Sequence, residues 1–229
     1  MFSREDVSAI LESISDLNTA MGIWAVIVPV FFAAAVIILL FYAYKKPGRK
    51  TSAYLMLTLA VVYIFSGWTI LSGKEQMGFA AALSGSSALW LVSVLLILDG
   101  LFYWTHVEMP EKTSLKIISF IFMFSGVFIY PLLEILLGFK WPGMVLFGAE
   151  CPTTIFLIGL FSGCIPNVNK ILFLLVSVNA VVTGLSVALN GAAFDFLYAA
   201  AGITGLAVII LNFKLIFTRK ILERNKFEQ

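Results

Sequence analysis

Seven apolar stretches, with the basic residues gathered in alternate gaps between them, constrain this chain more than any other feature. The stretches cover residues 20–44, 51–72, 80–105, 114–137, 152–165, 170–189 and 196–217. A helix needs about 20 residues to cross ~30 Å of hydrocarbon at 1.5 Å per residue. All but the fifth stretch meet that length. Counting Lys and Arg in alternate gaps puts Lys45, Lys46, Arg49, Lys50, Lys112, Lys116, Lys170, Lys214, Arg219, Lys220, Arg224 and Lys226 on one side. Only Arg4, Lys74 and Lys140 fall on the other. Cytoplasmic loops carry the excess of Lys and Arg. The expected fold is therefore an all-α polytopic membrane bundle of seven transmembrane helices, with the N-terminus outside and the C-terminus cytoplasmic.

Composition supports this reading. The chain is 61% hydrophobic and 12% charged, and that charged share is about half of what soluble domains carry. The expected division is an amphipathic outer-face helix over 1–19, a membrane domain over 20–217 and a basic cytoplasmic tail over 218–229. Little chain remains outside the bundle, so any function has to lie within it. The net charge of +2 belongs to the inner face. No hydrophilic basic surface is left for nucleic acid. The acidic N-terminus lacks a basic run ahead of an apolar core, so no cleaved signal peptide is expected. Cys151 and Cys164 stand about 20 Å apart if they share a helix, which excludes an internal disulfide. Their spacing is not that of a zinc site, and no cofactor is expected.

Residues 3–18 carry Val7, Ile10, Leu11, Ile14 and Leu17 at helical spacing, with Glu5, Asp6, Glu12 and Asp16 between them. Ser3 and Asp6 have capping-box spacing, and Phe2 and Val7 are placed for a hydrophobic staple. The expected element is an amphipathic helix on the outer face, packed there as a lid. An acidic polar face argues against a membrane-targeting helix. The fifth stretch begins Glu150-Cys151-Pro152-Thr153-Thr154 and stops at Pro166. Pro152 suits a first helical turn. Gly159 and Gly163 form a Gly-x-x-x-Gly pair that lets another helix come close. A short, central, tightly packed helix is expected there, behind an irregular loop over 138–151.

Ionisable groups in membrane spans are costly, so each is a functional candidate. Asp99 lies about two turns inside the third stretch. Its short stem cannot reach the interface, so it either pairs or serves a ligand or proton. Glu134, Glu150, Cys151, Thr153 and Thr154 converge if the loop folds over the fourth and fifth stretches. Such a group could bind a cation or a small polar solute. The helix start itself favours an anion. The alternative is loop closure, with these side chains satisfying free backbone amides. Asn179 reads as helix–helix glue. His106 belongs to the opposite face from Cys151, which leaves Cys151 without a base for nucleophilic chemistry. Lys214 is too near the interface for a retinal-type lysine.

One set of motifs is more specific. Tyr130-Pro131-Leu132-Leu133, Leu137-Gly138, Trp141-Pro142, Phe147-Gly148 and Cys151-Pro152-Thr153-Thr154-Ile155-Phe156 resemble the signature of an uncharacterised family of prokaryotic multi-pass membrane proteins. The family's Tyr-His pair near the second span is replaced here by Ser66-Gly67-Trp68-Thr69. The resemblance implies the multi-pass architecture and a prokaryotic plasma (inner) membrane, and it draws attention to residues 130–154. It implies no activity. Three functional classes follow from the sequence. The first is transport or sensing of a small solute or ion through a polar site in the bundle. The second is an accessory or scaffold subunit, whose partners would be other membrane subunits or further copies of the chain. A membrane-embedded enzyme ranks third. The lipid bilayer is the partner common to all three.

Overall fold

The structure is a computed structural model, and it describes residues 2–216. The basic tail over 218–229, with Arg219, Lys220, Arg224 and Lys226, lies outside the described residues. The chain forms α1 (Arg4–Met21), α2 (Trp24–Lys45), α3 (Arg49–Ser72) and α4 (Phe79–Phe102), then α5 (Thr113–Leu136), α6 (Glu150–Gly163), α7 (Lys170–Leu189) and α8 (Phe196–Leu211). A single turn at Lys74–Met77 precedes α4, and a 3-10 turn at Ala193–Asp195 leads into α8. Among the described residues, six helices are long and apolar enough to cross a membrane: α2, α3, α4, α5, α7 and α8 with its leading turn. The chain is thus an all-helical multi-pass membrane protein by the length and composition of its helices.

Helix α6 has only 14 residues, and every one from Pro152 to Gly163 is buried. A helix apolar on all sides has to be surrounded, and here protein surrounds it. Its closest neighbour is α5. A Cβ on Gly159 would stand 2.7 Å from the Met123 amide nitrogen and 2.9 Å from the Ser119 carbonyl oxygen. One on Gly163 would meet Ser119 Oγ at 2.6 Å, and one on Gly126 of α5 would run into the Pro152 carbonyl. From the other side, Gly205 of α8 lies against Ile158 and Ser177. Without Cβ atoms the helix backbones come close enough for the dispersion contacts that hold bundles together in lipid.

Helix α5 is not regular throughout. Residues Ser125–Ile129 form a π turn, in which the Tyr130 amide donates to the Ser125 carbonyl. Pro131 follows at once. Proline brings no N–H and crowds the preceding turn, so a widened turn beside it relieves both demands. Tyr130 and Glu134, four residues apart, then share one face and are both buried.

The two ends of the bundle are built differently. One end carries α1, the turn at Lys74–Met77 and the loop over 137–149. Helix α1 starts with a reciprocal capping box: the Ser3 amide donates to Asp6 Oδ2 at 2.7 Å, and the Asp6 amide to Ser3 Oγ at 3.1 Å. Val7 and Ser13 are buried beneath it, while Glu5, Asp6, Glu12 and Asp16 are exposed. It ends at Gly22, whose φ of +56° suits glycine. Polar contacts tie it down. The Phe2 amide donates to Ser186 Oγ at 2.7 Å, and Asn18 Nδ2 donates to the Pro142 and Met144 carbonyls at 2.6 and 3.0 Å. Gln76 Nε2 donates to Asp16 Oδ2 at 2.7 Å. We call this the lid end.

The opposite end joins the loops over 46–48, 103–112 and 164–169. There the Val107 amide donates to Ser52 Oγ, the His106 amide to the Asn167 carbonyl, and the Asn169 amide to Thr105 Oγ1. Of the described basic residues, Arg4, Lys74 and Lys140 lie at the lid end. Lys45, Lys46, Arg49, Lys50, Lys112, Lys116, Lys170 and Lys214 lie at the other.

Candidate functional site

A cavity of about 410 Å³ lies between α1 and the bundle at the lid end. Its roof is the apolar face of α1, with Val7, Ile10, Ile14 and Leu17. Its floor is polar, formed by Tyr130, Glu150, Cys151 and Asp195. The volume falls within the range of small-molecule sites, which combine apolar walls with a few converging polar groups.

Three elements place the floor residues: α5 carries Tyr130, α6 carries Glu150 and Cys151, and the turn before α8 carries Asp195. Asp195 closes the 3-10 turn before α8 and is 2% exposed. Its Oδ1 accepts a 2.5 Å hydrogen bond from the Tyr130 hydroxyl of α5. The Cys151 side chain lies against both of these groups. The Tyr130 ring meets Phe194 edge-on at 5.5 Å, and Phe139 meets the same ring at 4.9 Å, so aromatic packing holds the Asp195 turn in place. Glu150 starts α6. Its Oε1 accepts from Asn179 Nδ2 at 2.8 Å and from the Tyr198 hydroxyl at 3.2 Å, which joins α6 to α7 and α8. Thr183 continues the network toward Asn179 at 3.4 Å.

The sequence candidates separate into three groups. Glu150 and Cys151 line the cavity. Glu134, Thr153 and Thr154 instead hold the surrounding structure. Both oxygens of buried Glu134 accept from the Val145 amide, at 3.1 and 3.0 Å, and so anchor the loop. Thr153 Oγ1 accepts from the Gly148 amide at 3.0 Å, and the Gly148 carbonyl accepts from Ser66 Oγ. Gly148 has a φ of +107°, a conformation that a side chain would strain. The Thr154 hydroxyl bonds Tyr63 at 2.7 Å. Glu134 and Glu150 therefore serve different structures; across the cavity floor, Glu150 faces a site shared with Asp195. In the loop, Trp141 is 44% exposed, while Phe147 is buried edge-on against Phe156.

Asp99 forms the third group, at the opposite end. It is fully buried and accepts two 2.7 Å hydrogen bonds from Thr105, one from the amide and one from the hydroxyl. It fastens the turn that leaves α4. His106 is at that end too, 3.9 Å from Glu108. Among the described residues, no group of three or more His, Cys, Asp or Glu is arranged to hold a metal ion.

The apolar stretches by themselves do not mark Asp195, Tyr198 or Tyr63. Asp195 had a signal: it is an acid between two phenylalanines, Phe194-Asp195-Phe196, at the edge of an apolar stretch. The tyrosines had none, because their hydroxyls acquire partners only through tertiary packing.

Below the floor the core of α6 is mainly apolar. Between Thr154 and Ser162, α6 buries Ile155, Phe156, Leu157, Ile158, Leu160 and Phe161 almost completely.

By the length and composition of its helices this is an all-helical membrane protein, with a cavity at one end. The chain belongs to a family of unknown function, DUF6064, whose model matches residues 8–220. No curated protein and no solved structure matches it.

Proposed function

We propose that this protein binds a small, mainly apolar solute in the cavity under α1, as part of uptake or sensing across a prokaryotic plasma membrane. The observation that carries this is the partly covered 410 Å³ space with mainly apolar walls and a polar floor built from three separate elements. The buried apolar core of α6 beneath it favours a binding or occluded site over an open channel. In this reading α6 is the seventh crossing. It is short because protein, not lipid, surrounds it. Loops at the ends of crossings that carry more Lys and Arg face the cytoplasm, so the lid end is external and α1 lies at the outer interface.

The test uses thiol accessibility in sealed right-side-out membranes. Lys74→Cys and Lys140→Cys, each in a Cys151→Ser/Cys164→Ser background, label with an impermeant reagent from outside, while Lys46→Cys does not. In a Cys164→Ser variant, Cys151 labels from outside, more slowly than the exposed tags. Labelling of Lys46→Cys from outside would invert the topology. Labelling of Cys151 from the cytoplasmic side alone would remove the lid-end site.

A second reading has its own support. Helix α2 is the least buried of the six long helices. Phe31, Ile38 and Phe41 are all well exposed on it. An accessory subunit or homo-oligomer would use this surface. Leu or Phe to Ala changes on α2 that alter the oligomeric state in nanodiscs would favour that role.

A further inference from the structure

The hydrogen-bonding inventory of the cavity points to one kind of ligand. We infer that the cavity takes a small amphipathic amine, with its ammonium on the floor at Asp195 and Glu150 and its apolar body under α1. The inference rests on the binding role proposed above and adds the chemical class.

Among the described residues, the lining offers its carboxyl groups no basic side chain. Its lining includes Glu5, Asp6, Glu150 and Asp195, and no Lys, Arg or His. The donors around the floor are already engaged. Tyr130 donates to Asp195, while Asn179 and Tyr198 donate to Glu150. Acceptors remain. A carboxylate offers about four lone-pair sites. Each of these two is bonded to protein hydroxyl or amide donors through one oxygen only, so Glu150 Oε2 has no protein hydrogen bond among the described residues. On the lid side, Gln76 also lines this space, and its Oε1 is buried without a hydrogen-bond partner among the described residues. A site short of donors and rich in acceptors selects a ligand that donates. An ammonium brings several N–H donors and a positive charge, and hydrogen bonds between ionised partners are the stronger kind. The start of α6 alone would attract an anion through its aligned backbone dipoles. Glu150, in its first turn, offsets that field. The walls complete the selection. They are mainly apolar, so the ligand has an apolar body as well as a charged head.

The experiment compares three probes of similar shape: 2-phenylethylammonium, 2-phenylethanol and 3-phenylpropanoate. Each is titrated calorimetrically against the full chain in lipid nanodiscs, with empty nanodiscs as the blank. The expected result is that the amine binds at least about tenfold tighter than the alcohol and that the carboxylate does not bind. Asp195→Asn and Glu150→Gln should each erase that preference while leaving alcohol binding in place. Because both carboxyl groups serve the one ammonium, a single folded variant suffices for the test. Equal binding of all three probes would overturn the amine assignment and leave the cavity reading standing. Binding of none of them to folded protein would overturn both.

Discussion

Asp99 at one end of this bundle and Asp195 with Glu150 at the other are acids in different surroundings. At the basic end, Asp99 is fully buried and gives both oxygens to one residue, Thr105. At the lid end, Asp195 and Glu150 also bond protein groups, but they border a space of about 410 Å³. A buried acid in a membrane span is therefore not a functional mark in itself. What it faces beyond its hydrogen bonds decides. Asp99 faces a loop that it closes, and Asp195 and Glu150 face room for something else.

The strongest way to break this comparison is to disturb the wall that both ends share. Gly159→Leu would place a side chain into the α5 backbone at Met123 and Ser119. Over-packing costs about 1–3 kcal/mol even where neighbours can shift, and backbone yields less than side chains. The expected outcome is loss of folded, monodisperse protein on size-exclusion chromatography, with both ends affected together. A normal yield would mean that α6 does not approach α5 as described.

The next effect distinguishes the ends. Asp99→Ala leaves the Thr105 amide buried without an acceptor, at a cost of about 3 kcal/mol for two lost bonds. Asp195→Ala also removes an acceptor, from Tyr130. Its neighbour, however, is a cavity in which water can take that place, so the expected loss is only about 1 kcal/mol. Denaturation in mixed micelles measures both. Equal losses would erase the difference between a structural acid and a site acid.

Glu134 sharpens the boundary of the site. Glu134→Ala should destabilise the 137–149 loop by about 1–2 kcal/mol, because the Val145 amide loses its acceptor. Glu134→Gln retains a carbonyl oxygen for that amide and should cost less. Limited proteolysis of the loop reads the difference. A large effect of Glu134→Gln on amine binding, with the loop intact, would place Glu134 in the site after all.

The smallest effect concerns the lid. Hydrogen bonds from the Ser3 backbone and side chain hold the Asp6 carboxyl below its ordinary value of 3.8. The ionised form is thus favoured in the folded protein. Its contribution to α1 is present above that ordinary value and fades as pH falls through and below it. Hydrogen exchange of the first turn of α1 should quicken on going from about pH 5 to about pH 3, more than in an Asp6→Asn variant. An identical pH response in the two proteins would show that the cap is not formed.

Most of the architecture was legible because membrane helices announce themselves locally. Residues 170–189 form a helix within the bounds that hydropathy suggests, and Ser3 and Asp6 form a capping box because three-residue spacing and side-chain type suffice for one. The shortness of α6 also showed in the sequence, through Pro152, Pro166 and a stretch too brief to meet lipid on its own. The polar floor was less legible. Cys151 and Glu150 stood out as an acid and a thiol at a helix start, but their true neighbours come from 20 or more residues away in either direction. Glu134 and Glu150 looked like partners in the sequence, yet each is bonded elsewhere.

The sequence by itself determined the helices, their apolar character and the segregation of Lys and Arg, since these depend on side-chain chemistry and on a repeat of a few residues. Only the tertiary structure decided which acids share a space. That depends on how α1 folds back over the bundle, how the Pro131 turn sets Tyr130, and how the Phe194 packing sets Asp195. Those are contacts between distant segments, and hydrogen-bond partners across such distances leave no local pattern to read.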